Sequence, residues 1–232
     1  MKGRMDETAV RFSFETDNSL SADTRTKIIE AGEALFGEMG VDKTPMRSIA
    51  AAAGQRNINA VQYHFGDRWS LLTAIFEYRE AQLDVLRKDL LEQARARDEI
   101  DDLRWLMRII FEPNFCHYKY NNGLNYIRLH ATYLANIRQR GISHPVDYDS
   151  PSTVAFREVI DLLREKMAFP NSWLFNMRLE AIGAMFLNSV IRHNSTSPHT
   201  RPNDWVLFED LIEMAMAAMI VLPGGPRGAG QD

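Results

Sequence analysis

The sequence predicts an all-α protein: a three-helix unit near the N-terminus, then a larger helical bundle. Two observations carry that prediction. Apolar residues recur at helical spacing through most of the 232 residues, and no segment sustains the alternating period of a strand. Glycine, proline and asparagine gather in short breaks between the periodic runs, where they stop one helix and start the next.

Residues 1–22 have no sustained period and read as a flexible arm, in which Asp6, Glu7, Glu15 and Asp17 outnumber Lys2, Arg4 and Arg11. Ile28, Ala31, Leu35, Phe36 and Met39 then carry the first helix, and Gly40 stands where a C-cap glycine would end it. In "DKTPMRSIAAAAG" Thr44 reads as an N-cap and Pro45 as the first helical position. Gly54 ends this second, short helix. A third runs from about Asn57 to Phe65, and after Gly66 the N-cap candidate Asp67 opens a long fourth helix. Further helices are expected near 100–112, 121–139, 151–168, 173–193 and 203–221, with breaks at "EPN", "RGISHPVDYDSP", "FPNS" and "NSTSPHTRPN". The tail at 223–232 holds four glycines and two prolines and reads as disordered. This gives an arm at 1–22, an N-terminal domain at 23–69 and a helical domain at 70–222.

Composition narrows the function classes. A net charge of −4 and a pI of about 5.9 exclude a uniformly basic nucleic-acid protein. They leave room for a local cationic face, which is all that nucleic-acid affinity needs. Cys116 is the one cysteine, so neither an intrachain disulfide nor a Cys-rich metal site is expected. The N-terminus has acidic residues where a secretory signal needs an apolar stretch, and the longest apolar run, 214–222, is too short to span a membrane. A cytoplasmic protein without membrane contact is the expectation. The histidines at 64, 117, 130, 144, 193 and 199 show no metal-ligand spacing, and adjacency of Cys116 and His117 makes no nucleophile–base pair. Neither enzyme activity, metal nor cofactor is expected.

Three short helices with a glycine turn between the second and third have the outline of a helix-turn-helix. In the third, Val61 and Phe65 share an inward face at i, i+4. Asn59, Ala60, Tyr63 and His64 turn away from it, with Gln62 and Ile58 on the flanks. Amide side chains pair well with adenine in the major groove, and small Ala60 permits close backbone approach. Lys43, Arg47, Arg56 and Arg68 flank the helix as candidate phosphate contacts, and Asn57 adds a further amide. Taken alone, Tyr63 also suits a boundary aromatic with a wet hydroxyl, and Ile58 suits either core or a thymine methyl.

The stretches "TKIIEAGEALFGEMGVDKTPMRSIAAAAG" and "AVQYHFGDRWSLLTAIF", over residues 24–76, resemble the DNA-binding region of the tetracycline-repressor (TetR) family. The resemblance implies phosphate contacts from Thr44, Tyr63 and His64, and base contacts from Asn59, Ala60 and Gln62. One departure is an extra residue within "QRNI", which lengthens the connection between helices two and three.

The resemblance also implies that the C-terminal helical bundle is a ligand-binding and dimerisation domain, in a regulator released from a palindromic double-stranded operator by a small-molecule effector. Its last two helices would form a four-helix bundle with a second copy. The apolar stripes there are Leu179, Ile182, Phe186 and Val190, and then Phe208, Leu211, Ile212, Ala215, Met219 and Leu222. Plain intrachain core is the alternative reading of the same stripes. Candidate effector contacts are Trp105, Met107, Phe111, Phe115, Tyr126, His130, Tyr133, Phe156, Met185 and Asn188, which at helical spacing also suit plain core.

Overall fold

The computed structural model describes residues 20–57, 59–167, 169 and 171–221. Expectations for residues 1–19, for Ile58 and Leu222 and for the tail at 223–232 lie outside them. Nine α-helices form the described fold, with no strand among the described residues: α1 (Leu20–Met39), α2 (Met46–Ala52), α3 (Ala60–Phe65), α4 (Arg68–Ala96), α5 (Leu103–Tyr120), α6 (Leu124–Thr132), α7 (Val154–Lys166), α8 (Ser172–Ser195) and α9 (Asp204–Ile220). The first helix thus begins inside the segment expected to be a flexible arm.

Local chemistry sets the boundaries. Gly40 leaves α1 at φ +85°, and Gly54 leaves α2 at φ +68°, a left-handed conformation that glycine adopts without a side-chain clash. Asp67 caps α4, accepting from the Trp69 and Ser70 amides at 2.9 and 2.8 Å, and these bonds hold its carboxyl below the usual range. Thr44 does not cap α2: its hydroxyl donates back to the Gly40 and Leu35 carbonyls, at 2.8 and 3.2 Å.

The expected break at "EPN" is absent, and α5 runs through Pro113. A proline inside a helix costs about 3 kcal/mol, but α5 buries residues all round, from Leu103 to His117, between α4, α7 and α9. That packing holds the helix together. Beyond α6 the chain widens into a π-type turn at Tyr133–Ile137, then a 3-10 turn that Gly141 ends.

Two apolar clusters result. One joins α1, α2, α3 and the first half of α4 to Tyr126, Leu129, Tyr133 and Ile137. The other fills the space between the second half of α4 and α5, α7, α8 and α9. Long α4 serves both. No helix among the described residues is long and apolar enough to cross a membrane.

Candidate DNA-contact surface and ligand cavity

α3 has six residues and buries Ala60, Val61 and Phe65 against α2 and α4. Arg25 of α1 lies over the Phe65 ring at 5.1 Å and closes that side. The opposite side carries Asn59 and Gln62, both exposed, with Tyr63 86% exposed and His64 half-buried against it, edge to face at 5.2 Å. Ala60 is a correction: it packs into the core and does not face outward. Asn57 is exposed, and its side-chain oxygen accepts from the Asn59 amide at 2.9 Å. That bond is a side-chain-closed turn at the entry to α3, in the lengthened connection. Helix α3 accordingly starts later than expected.

Lys43, Arg47 and Arg56 are exposed around this surface. Two expected phosphate contacts are otherwise engaged. Thr44 is fully buried, with its hydroxyl occupied as described. Arg68 reaches back to donate to the Val41 and Asp42 carbonyls at 2.9 and 2.7 Å, tying the turn after α1 to the start of α4. Both residues position the surface without belonging to it.

The second site is a cavity of about 400 Å³ between α4, α5, α6, α7 and α8. Phe111 and His130 line it as expected, and so does Phe156. The other seven candidates do not, and Met107 is fully buried in the second cluster. Phe115 packs in an aromatic group with Trp205 and Phe208. Tyr126 and Tyr133 are fully buried in the N-terminal cluster, and Met185 packs against the second cluster. Trp105 lies under Arg97, and Asn188 is exposed and donates to the Ala184 carbonyl at 2.8 Å.

The polar end of the cavity comes from residues the sequence reading missed. Glu80 and Arg87 on α4 form a buried ion pair at 2.8 Å, and Tyr126 donates to the other Glu80 oxygen at 2.8 Å. Despite burial, Arg87 and the neighbouring groups hold the Glu80 carboxyl down to about 2. His144 arrives from the segment after α6. There its Nδ1 accepts from the Val146 amide at 3.3 Å, and Asp147 accepts from the His144 amide at 2.8 Å. Its ring stacks on His130 at 4.9 Å, with 12° between the planes. Burial drives His130 down to about 4 and His144 well below the usual range, so both rings are neutral near pH 7. A signal for the ion pair was present: Phe76, Glu80, Leu83, Arg87 and Leu90 keep one helical register, with two charges at core positions.

Glu80, His130 and His144 offer donor atoms within 4.8 Å of one another. A tetrahedral zinc site, with metal–nitrogen distances of about 2.0–2.1 Å, needs donors about 3.3 Å apart. The stacked rings lie nearly parallel, so their in-plane lone pairs lie in separate planes and do not converge on one point. Glu80 is moreover bound by Arg87 and Tyr126. As arranged, the trio fits a metal only after the rings turn.

The expected dimer contacts are corrected as well. Ile182, Phe186, Val190, Phe208, Leu211, Ala215 and Met219 are all buried within the protomer. The outward side of α8 carries Trp173, 71% exposed, with Met177, Ala181 and Asn188. That of α9 carries Val206, Met214, Ala217 and Ile220.

Residues 28–75 match the family described as bacterial regulatory proteins, tetR family. The HTH-type transcriptional regulator TtgR of Pseudomonas putida is 29% identical over 90 residues, 39% of this chain and 40% of TtgR. The HTH-type transcriptional regulator AcrR of Shigella flexneri is 30% identical over 105 residues, 38% of this chain and 48% of AcrR. The chain therefore spans less than half the length of these relatives. A solved structure from Mesorhizobium loti, described as of the TetR family, shares the fold at a TM-score of 0.53 and 16% identity, covering 88% of this chain and 98% of that one.

Proposed function

We propose, from an N-terminal segment that matches the tetR family of bacterial regulatory proteins over residues 28–75, that the chain is a sequence-specific DNA-binding transcriptional regulator. It acts as a cytoplasmic homodimer and as a repressor, leaving its operator when a small molecule fills the cavity. The observation that carries this reading is the division of α3. Its apolar side is buried, while Asn59, Gln62 and Tyr63 are exposed together beside Arg47 and Arg56. Amides read base edges, and the cations and the tyrosine hydroxyl hold the backbone.

Pairing of two copies through the outward sides of α8 and α9 covers Trp173, Met177, Val206 and Met214, apolar side chains otherwise left in water. A two-fold pair then presents two α3 helices to half-sites one helical turn apart, about 34–36 Å.

Cavity and surface are physically joined. Arg138 lines the cavity and pairs with Asp147 and Glu180. Two residues on, Arg140 pairs with Asp42 at 2.8 Å and lies on the Trp69 ring at 4.5 Å. Asp42 also accepts from Arg68 through its carbonyl. A ligand that prefers one arrangement of this chain of contacts shifts the population of DNA-competent dimers by its differential affinity.

Footprinting on the DNA flanking the gene tests the proposal. A protected palindrome, lost steeply as salt rises, is the expected result. Uniform weak binding to all fragments overturns it.

A further inference from the structure

We infer that the cavity takes an uncharged, largely apolar molecule bearing a carbonyl oxygen, which is held at the end formed by Arg87 and His144. This rests on the cavity being the effector site proposed above.

Hydrogen-bonding capacity comes first. Arg87 Nε, Asn114 Oδ1, His130 Nδ1 and His144 Nε2 are buried, have no partner and belong to residues that line the cavity. A buried polar group left unpaired is costly, so such atoms mark where a ligand group belongs. Three of the four have a fixed sense: Asn114 Oδ1 accepts, and the other two, on Arg87 and His144, donate. Arginine nitrogens only donate. His144 Nδ1 accepts from the Val146 amide, which puts the proton of the neutral ring on Nε2. Both donors flank one carboxylate: Arg87 pairs with Glu80 at 2.8 Å, and His144 Nε2 stands 3.9 Å from its other oxygen. Two spare donors at one end call for an acceptor oxygen.

Charge comes second. Four carboxylates and four guanidiniums line the cavity, and the innermost cation, Arg87, is already taken up by Glu80 at 2.8 Å and Asp84 at 3.5 Å. A carboxylate or ammonium head would lose its hydration there and find no free counter-charge. A carbonyl needs none. The remaining wall, including Phe111, Phe156 and Phe186, suits an apolar body.

The test measures affinities of the full chain for benzylacetone, hydrocinnamate, phenylpropylammonium and butylbenzene, which share a phenyl ring and chain but differ in the head. Benzylacetone should bind about tenfold more tightly than each of the others. Glu80→Gln leaves Arg87 with Asp84 alone, 3.5 Å away, and should shift the order toward hydrocinnamate, a gain that misfolding cannot mimic. The charge-neutral double variant Glu80→Gln/Arg87→Gln should restore the preference for benzylacetone. If Glu80→Gln does not fold, the order in the unaltered chain decides alone. The assignment is overturned if a charged head binds best there, or if benzylacetone is no better than butylbenzene. Stabilisation by zinc chloride that His144→Ala abolishes also overturns it, in favour of a metal site. Operator affinity is read on the same samples. Loss of specific DNA binding refutes the regulator and leaves the ligand order standing, whereas a different ligand order refutes the ligand class alone.

Discussion

Gly37 of α1 lies directly against the backbone of Asn125 in α6: a Cβ built on Gly37 would sit 2.8 Å from the Asn125 carbonyl carbon and 2.9 Å from its Cα. No side chain can yield there, because the obstacle is main chain. The contact fixes how α6, which carries His130 of the cavity, rests on the helix that supports the candidate DNA-contact surface.

Gly37→Ala should therefore push α1 and α6 apart. Overpacking of this kind costs about 1–3 kcal/mol, readable as a lower urea midpoint. Operator affinity and its response to ligand should change together, since the same contact separates both sites. An alanine variant with unaltered stability and release would show that the helices slide freely.

Tyr63 and Arg68, five residues apart, should fail in different ways. Tyr63 is exposed, so Tyr63→Ala should leave stability within about 0.5 kcal/mol while weakening operator binding about tenfold, the scale of one hydrogen bond to a charged group. Arg68→Ala removes two bonds to backbone carbonyls and should cost about 1.5–3 kcal/mol of stability. The slope of affinity against salt should fall for Arg47→Ala and stay unchanged for Arg68→Ala.

Stability should decline on mild acidification. Burial holds His117 near 4 when folded, against an ordinary value of 6.5, so the unfolded chain binds more protons throughout that interval. Its contribution is complete above pH 6.5 and shrinks by about 1.4 kcal/mol per unit as pH falls, levelling near 4. His130 behaves alike. Glu80 extends the loss further, its share present above 4.5 and lost as pH falls through about 2. Glu33 and Glu112, raised by burial, act in the opposite sense. Urea titrations at several pH values should show His117→Gln with a shallower slope between pH 4 and 6.5.

Association through the outward sides of α8 and α9 predicts that Ala181→Arg, placed between Trp173 and Asn188, yields a folded monomer by sedimentation velocity. Phe186→Ala, in the protomer core, should lower stability by about 3–5 kcal/mol without selectively splitting the dimer. The reverse pattern would return the interface to the buried stripe.

How much of this was legible in the sequence depended on asymmetry. α3 was readable because its apolar pair, Val61 and Phe65, contrasts with amides on the other side. α8 and α9 were not, because both faces are apolar: Ile182 and Phe186 inward, Trp173 and Met177 outward. Spacing identifies a stripe and cannot say which of two stripes meets its own chain. The cavity was half legible. Phe111 and His130 lie on periodic helices, whereas His144 depends on a turn set by Asp147 and on a stacking partner fourteen residues earlier. Pro113 misled for a related reason, since local propensity yields where tertiary packing surrounds a helix.

The brevity of α3 has a consequence for information. Six residues at about 1.5 Å each span about 9 Å, which is close to three base pairs at about 3.4 Å apiece. A reader that short distinguishes few addresses in a genome. Under the proposed function, most of an operator's identity lies in the distance and phase between two such brief words, so inserting one base pair between half-sites should damage recognition more than changing a letter within either.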